Sequence, residues 1–349
     1  MLRARLLPLL LLASLAALAA ERELSFPGFN AQPLKGSVLE GSKHPYFAVL
    51  VAGSGPTDRN WSNPLIGKPS HGGRDFALWL QAQGIGSLRY DKRFIGSKDP
   101  SLDISLDAQV GDIRAALQAA RKLPEAKGRK LLLIGHSEGA LLSLLAAQES
   151  DALLLLGLPG QSLHKQILEQ VAGQFIQAGV PDEITKPNMD YLAESLDRVS
   201  AGQPIQAVGE GVLPAISNLV GLLSRPESLA FFRATMELDP WRLAARVAVP
   251  HAAVWGEKDV QCWKPIVPAS FKGTVIDLPG ANHLLKLEPR PRKELSGANA
   301  ASAYGDDTPM ADLGPIAAWL ATLPGTIAPA APSLQRPKEA PWISPAPSR

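Results

Sequence analysis

Two hydrophobic rhythms alternate along the chain. Residues 46–51, 84–90, 130–134, 152–158, 252–255 and 274–278 are short runs, apolar at most positions. A strand covered on one face would alternate apolar with polar, so continuous runs predict strands covered on both faces. Between them lie segments with apolar residues at helical spacing. These are 75–83, 106–123 (Val110, Ile113, Ala116, Leu117 and Ala120 on one side), 138–148 and 310–323. Strands separated by helices pair in parallel, because the crossover returns the chain to the same end of the sheet. Residues 21–41, punctuated by Gly and Pro, predict edge strands. From Gln161 to Val247 no strand pattern is found, and helices are predicted over 163–178, 190–199, 212–223 and 227–236. The reading is one α/β domain with a mostly parallel central sheet, helices on both faces and a helical insertion at about residues 161–247.

The first twenty residues, MLRARLLPLLLLASLAALAA, follow a different logic. Arg3 and Arg5 precede an apolar run from Leu6 to Leu15, and Ala17-Leu18-Ala19 supplies small residues for cleavage, the layout of a secretory signal. The run is shorter than the ~20 residues that a spanning helix needs, and Pro8 interrupts it. No Cys follows to carry a lipid. The expectation is a signal peptide over 1–19, an exported protein (periplasmic or secreted) without a stable membrane anchor, and a folded domain over 20–325. Residues 326–349 hold six Pro in 24 positions and are expected to be unstructured or extended.

Composition narrows the function classes. Apolar residues make up 46% of the chain, enough to bury a core. Without Arg3 and Arg5 the 35 basic residues become 33, matching the 33 acidic ones, so no basic surface points to nucleic acid. The single cysteine, Cys262, excludes an intrachain disulfide and a Cys-rich metal site, and a packing role is expected for it. Nothing in the sequence sets an oligomeric state.

The chemistry centres on Gly135-His136-Ser137-Glu138-Gly139, which follows one predicted strand and opens a helix. A G-x-S-x-G sequence in that context places Ser137 on a sharp turn, its hydroxyl at the C-terminal edge of the sheet where open α/β sheets bind ligands. A serine hydroxyl becomes nucleophilic only beside a base. Of six histidines, His251 and His283 lie beyond the insertion. His251 precedes its strand, at the wrong end, whereas His283 follows the last strand and is the expected base. The acid is expected after strand 252–255, where Gly256-Glu257-Lys258-Asp259 offers two carboxylates. Asp259 is favoured because a turn is needed to reach the imidazole, and Glu257 is the alternative. The oxyanion donors expected are the backbone N–H of Glu138 and, from the turn after strand 46–51, that of Ser54.

With these residues assembled, the chain resembles the α/β-hydrolase superfamily, in the branch of exported serine esterases related to serine aminopeptidase-like hydrolases. The resemblance is carried by Gly53-Ser54-Gly55-Pro56-Thr57-Asp58-Arg59, Arg89-Tyr90-Asp91-Lys92-Arg93, the Ser137 motif, Gly256-Glu257-Lys258-Asp259 and Asn282-His283. Two positions depart from it: Ala52 stands where relatives commonly carry His, and Phe94-Ile95-Gly96 follows the Asp-Lys-Arg run in place of a Gly. The resemblance implies that Asp91-Lys92-Arg93 supports the oxyanion loop, the competing reading being a solvated charge run. It also implies that Asp58 and Arg59 pair to hold that turn, and that the insertion caps the active site.

The leading expectation is hydrolysis of a small-molecule carboxylic ester through an acyl-enzyme. Ser137, Asp259 and His283 would form the triad, with no metal or organic cofactor. The alternatives are an aminopeptidase or amidase with the same triad, and a non-catalytic binding protein. The acids Asp182, Glu183, Asp190, Glu194 and Asp197 in the insertion suit solvated helix faces better than an ammonium-binding pocket. Ile216, Leu219, Leu222, Phe231 and Phe232 are read equally as an acyl site or as cap core.

Overall fold

The structure, a computed structural model, describes residues 21–326 apart from 67, 68, 100 and 298. The signal-peptide reading of residues 1–19, and all of the tail but Thr326, therefore lie outside the described residues. The strands are β1 (Arg22–Pro27), β2 (Pro33–Leu39), β3 (Tyr46–Val51), β4 (Gly86–Tyr90), β5 (Lys130–His136), β6 (Ala152–Leu156), β7 (His251–Gly256) and β8 (Thr274–Leu278). They form one eight-stranded sheet in the order β1-β2-β4-β3-β5-β6-β7-β8. β1 and β2 pair antiparallel, β2 joins β4 antiparallel, and every pairing from β4 to β8 is parallel. This order, with helices on both faces, is the α/β-hydrolase fold.

The continuous apolar runs serve two cores. Phe47, Val49 and Val51 of β3, with Leu131, Leu133, Leu153 and Leu155, belong to one buried cluster. That cluster also takes in Val110, Ile113 and Leu117 of α2 (Leu106–Lys122) and Leu141 and Leu144 of α3 (Glu138–Leu145). Their strand neighbours Tyr46, Ala48, Leu50, Leu132, Ile134, Leu154 and Leu156 face the opposite cluster. There they meet Phe76 and Leu80 of α1 (Gly72–Ala82) and Ile316, Trp319 and Leu320 of a C-terminal helix, Gly314–Leu320. Successive side chains on a strand point to opposite faces, so a strand buried on both sides is mostly apolar; β4 is the exception, with buried Ser87 and an Arg89 bonded to Asn60 and Glu21. Each fully buried Leu or Ile contributes roughly 1.5–3 kcal/mol.

Between β6 and β7 come α4 (Leu163–Gln177), α5 (Asp182–Ala201), α6 (Pro214–Leu223), α7 (Pro226–Thr235) and α8 (Pro240–Ala244); the C-terminal helix is α9. Their apolar stripes close a third core around Leu192, Leu196, Val199, Ile216 and Val220. Helix α5 begins eight residues before the expected start, because Pro187 lies inside it and reads as a breaker. Asn188, fully buried, binds the Ile184 and Gly211 carbonyls and accepts from Leu213 N–H, tying α5 to the segment before α6. The short α8 carried too little periodicity to be read from sequence.

Candidate active site

Strand register brings the candidate residues to one edge. Val51 pairs with Gly135, His136 with Leu156, and Gly256 with Leu278. The loops that follow β3, β5, β6, β7 and β8 therefore leave the sheet side by side, carrying Ser54, Ser137, Gly157, Asp259 and His283.

Ser137 has φ 56° and ψ −123°, a left-handed value that L residues adopt only under constraint. The constraint is the close approach of α3 to β3. A Cβ on Gly139 would lie 2.5 Å from the Ala52 carbonyl oxygen and 2.6 Å from that of Val51. Ser137 N–H is held by the Leu156 carbonyl at 2.8 Å. Glu138 opens α3, so its N–H has no acceptor within its own helix.

His283 sits in a tight loop organised by Asn282. The Asn282 amide oxygen accepts from Leu284 and Lys286 N–H, and its amide nitrogen donates to the Ala303 carbonyl. Leu285 takes φ 61° at the turn. The fully buried Lys286 then bonds the Gly305 carbonyl and pairs with Asp75 at 3.1 Å, anchoring the loop to α1. His283 Nδ1 lies 2.7 Å from Asp259 Oδ2. Asp259, 1% exposed, uses its other oxygen to accept from Gln261 and Cys262 N–H, so its carboxylate is fixed by three partners. Gly157, at φ 59°, leaves room for the pair: a Cβ there would lie 3.3 Å from His283 Cε1 and 3.5 Å from Asp259 Oδ2. Glu257 turns away. It accepts from Gly280 N–H, which, with Lys258 beside it, holds its carboxyl below the ordinary value.

Ser54, Ser137 and His283 line one cleft of about 40 Å³, closed below by Trp61 and His136. Ser137 Oγ makes no hydrogen bond to His283 in this arrangement; Cys262 Sγ lies 4.0 Å from it. Burial raises the Cys262 thiol pKa, leaving it an uncharged packing group. His136, beside the nucleophile, also borders the cleft, but its Nε2 is committed elsewhere. Its ring stacks on Trp61 at 4.4 Å, and its Nε2 bonds the His283 carbonyl at 2.8 Å. Burial, reinforced by the neighbouring His283, lowers its pKa to about 3, so it is neutral. His251, at the start of β7, bonds the Val249 carbonyl, at the other end of the strand.

The Asp91-Lys92-Arg93 run is a brace. Lys92, buried, donates to the Gly53 carbonyl and lies 3.8 Å from the Glu138 carboxylate. Burial lowers the ammonium's pKa and raises that of Glu138. Asp91 receives Arg59 through its backbone N–H and guanidinium. Arg93 grips Asp112 of α2 with two hydrogen bonds. The expected pairing of Asp58 with Arg59 is corrected: Asp58 accepts from Asn60 and Ser62 N–H, and Arg59 turns to Asp91 and Glu23. Adjacent side chains diverge here, and the short Asp58 side chain closes its own turn. Thr57 Oγ1 fixes the Ser54 carbonyl at 2.6 Å.

The insertion resolves both of its open readings. Asp190 pairs with Lys186, Glu194 with Arg198 and Asp197 with His164, and none of the five acids borders the cleft. Ile216 and Phe231 are buried in core clusters, Leu219 and Phe232 pack against the insertion's own core, and Leu222 is exposed. Among the described residues no group of His, Cys, Asp and Glu has the arrangement of a metal site.

No family model matches the chain. Over 75 residues the chain is 39% identical to a polyketide transferase of Stachybotrys chlorohalonatus and, likewise over 75 residues, 37% identical to one of Aspergillus fumigatus. Each match covers 21% of this chain and about a quarter of those proteins, 25% and 26%. Among solved structures the chain is similar to an α/β hydrolase from Penicillium sp. sh18, at 18% identity and TM-score 0.46, covering 76% of this chain and 91% of that one. An esterase from Pyrococcus furiosus gives 13% and 0.46 over 74% and 81%. A dienelactone hydrolase from Anabaena variabilis gives 14% and 0.43 over 76% and 88%. The fold is assigned from the strand order and pairing above, not from these likenesses.

Proposed function

We propose that the chain is an exported serine hydrolase that cleaves carboxylic esters through an acyl-enzyme. The observation that carries the reading is Ser137, in a strained conformation at the strand–helix turn, sharing one cleft with a His283 whose Nδ1 is bonded to the buried Asp259. Export rests on residues 1–19 alone.

In this reading the Ser137 hydroxyl turns from Cys262 to His283 as substrate enters, since such hydrogen bonds commonly tighten only on binding. Oγ attacks the ester carbonyl and His283 Nε2 takes its proton. The Ser54 and Glu138 N–H groups hold the oxyanion, with Lys92 bracing both residues from beneath. Collapse expels the alcohol, protonated by His283. Water then attacks the acyl-enzyme with His283 as base, releasing the acid and restoring Ser137. Asp259 keeps the Nδ1–H tautomer and stabilises the imidazolium.

An ester fits better than an aminoacyl amide. The five acids named above that could have held a substrate ammonium lie on solvated cap faces, away from the cleft. The test is kcat/KM on p-nitrophenyl acetate and butyrate against alanyl and leucyl p-nitroanilides, with Ser137→Ala as control. Faster ester cleavage, lost in the variant, is expected. Faster anilide cleavage would replace the esterase with a peptidase.

A further inference from the structure

We propose that the groove beside the Ser137 cleft binds the leaving alcohol and selects a neutral alcohol with several hydroxyl groups. The proposal rests on the esterase reading above. The groove has a volume of about 440 Å³ and shares Ile66, Gln261 and Tyr304 with the cleft, so a substrate can occupy both. Its size suits a small-molecule ligand.

The groove lies on the base side. Val260, Gln261 and Trp263 in its wall follow Asp259 directly, and Tyr304 receives the Gln261 amide at 2.7 Å. The oxyanion turn at Gly53 and Ser54, Ser137 and His283 all border the cleft, and the groove joins it through Gln261 and Tyr304, in the loop and the segment beside the Asp259–His283 pair. The departing alcohol takes its proton from His283 and so leaves on the groove side.

The wall is rich in hydrogen-bond acceptors. Gln170 Nε2 donates to the Gln261 carbonyl at 2.6 Å, and Gln177 Nε2 donates to the Leu295 carbonyl. A carbonyl can only accept, which fixes both amides and leaves their Oε1 atoms without a donor among the described residues. Gln174, between them on α4, has no amide partner among the described residues. Hydroxyl groups can donate to these oxygens, which line the groove as a row of amide acceptors.

The charge is balanced. Glu169 and Arg292 both line the groove, one charge of each sign, and Arg292 Nη1 donates to the Glu257 and Asp259 carbonyls. A cationic or anionic alcohol would therefore gain no net Coulomb attraction there. Trp263 offers an apolar ring to the carbon skeleton of a polyol.

The experiment holds the acyl group constant and varies the alcohol: 1-glyceryl, ethyl and choline butyrate, assayed on wild type and on Gln174→Leu. Gln174 is solvent-exposed, so the variant should fold. The expected result is a glyceryl over ethyl ratio in kcat/KM of about tenfold or more, falling toward one in the variant. Equal values for the two esters, or a faster choline ester, would overturn the polyol subsite and leave the esterase standing. Cleavage of none of them, with no phosphonate adduct on Ser137, would overturn the esterase reading and this one with it.

Discussion

The buried ammonium of Lys92 donates to the carbonyl of Gly53, directly beneath the turn that carries Ser54, and the same ammonium lies 3.8 Å from the Glu138 carboxylate. One cation thus holds the two segments whose N–H groups are proposed to receive the oxyanion. Lys92→Met keeps the length of the side chain and removes the donor. It should lower kcat by about tenfold to a hundredfold with little change in KM, less than the roughly 10²–10³ lost when an oxyanion donor itself is removed. Steady-state kinetics on p-nitrophenyl butyrate, with circular dichroism to confirm the fold, check this. Wild-type kcat would show that Lys92 is a structural brace alone.

The two carboxylates after β7 separate cleanly. Asp259 is buried on His283, whereas Glu257 is more than half exposed and caps Gly280 N–H. Asp259→Asn should lower kcat by about 10⁴, the cost of losing the tautomer lock in a serine protease, and Glu257→Gln by less than about tenfold. A larger loss from Glu257→Gln would move the acid to that residue.

His136 makes the fold acid-sensitive. Its pKa falls from the ordinary 6.5 to about 3 on folding, so between those values the unfolded chain binds a proton that the folded chain refuses. Its contribution is whole above pH 6.5 and is lost as pH falls toward 3, by roughly 1 kcal/mol per pH unit. Urea unfolding at pH 7, 6, 5 and 4.5 should show wild type losing stability more steeply than His136→Gln. Parallel slopes would assign the acid sensitivity to other groups.

Much of this was legible because the strongest signals are local. β3, buried on both faces, could be bounded to the residue from its continuous apolar run, and the expected bounds of β8 also match although it is an edge strand with Thr274, Val275 and Asp277 exposed. The Ser137 turn announces itself because close packing of α3 on β3 demands glycine at position 139. What stayed hidden depends on contacts between distant segments. That Lys92 reaches Gly53, 39 residues away, cannot be read from the charged tripeptide itself; the resemblance alone implies that the run supports the oxyanion loop. Nor can the partition of Ile216 and Phe231 into core rather than a substrate wall, since a helical stripe does not say what covers it. Asn282 was within reach: a buried asparagine next to the base signals a loop that needs side-chain hydrogen bonds to close. Tyr304 lies in an irregular stretch between β8 and α9, where no periodicity marks it.

The proposed chemistry begins with Ser137 as a nucleophile activated by His283. Incubating the purified protein with a fluorophosphonate and mapping the adduct by peptide mass spectrometry tests it directly. A single phosphonylated serine, Ser137, is expected in wild type, none in Ser137→Ala, and labelling slowed by orders of magnitude in His283→Ala. An unlabelled wild-type protein, or an adduct on another residue that persists in Ser137→Ala, would contradict it.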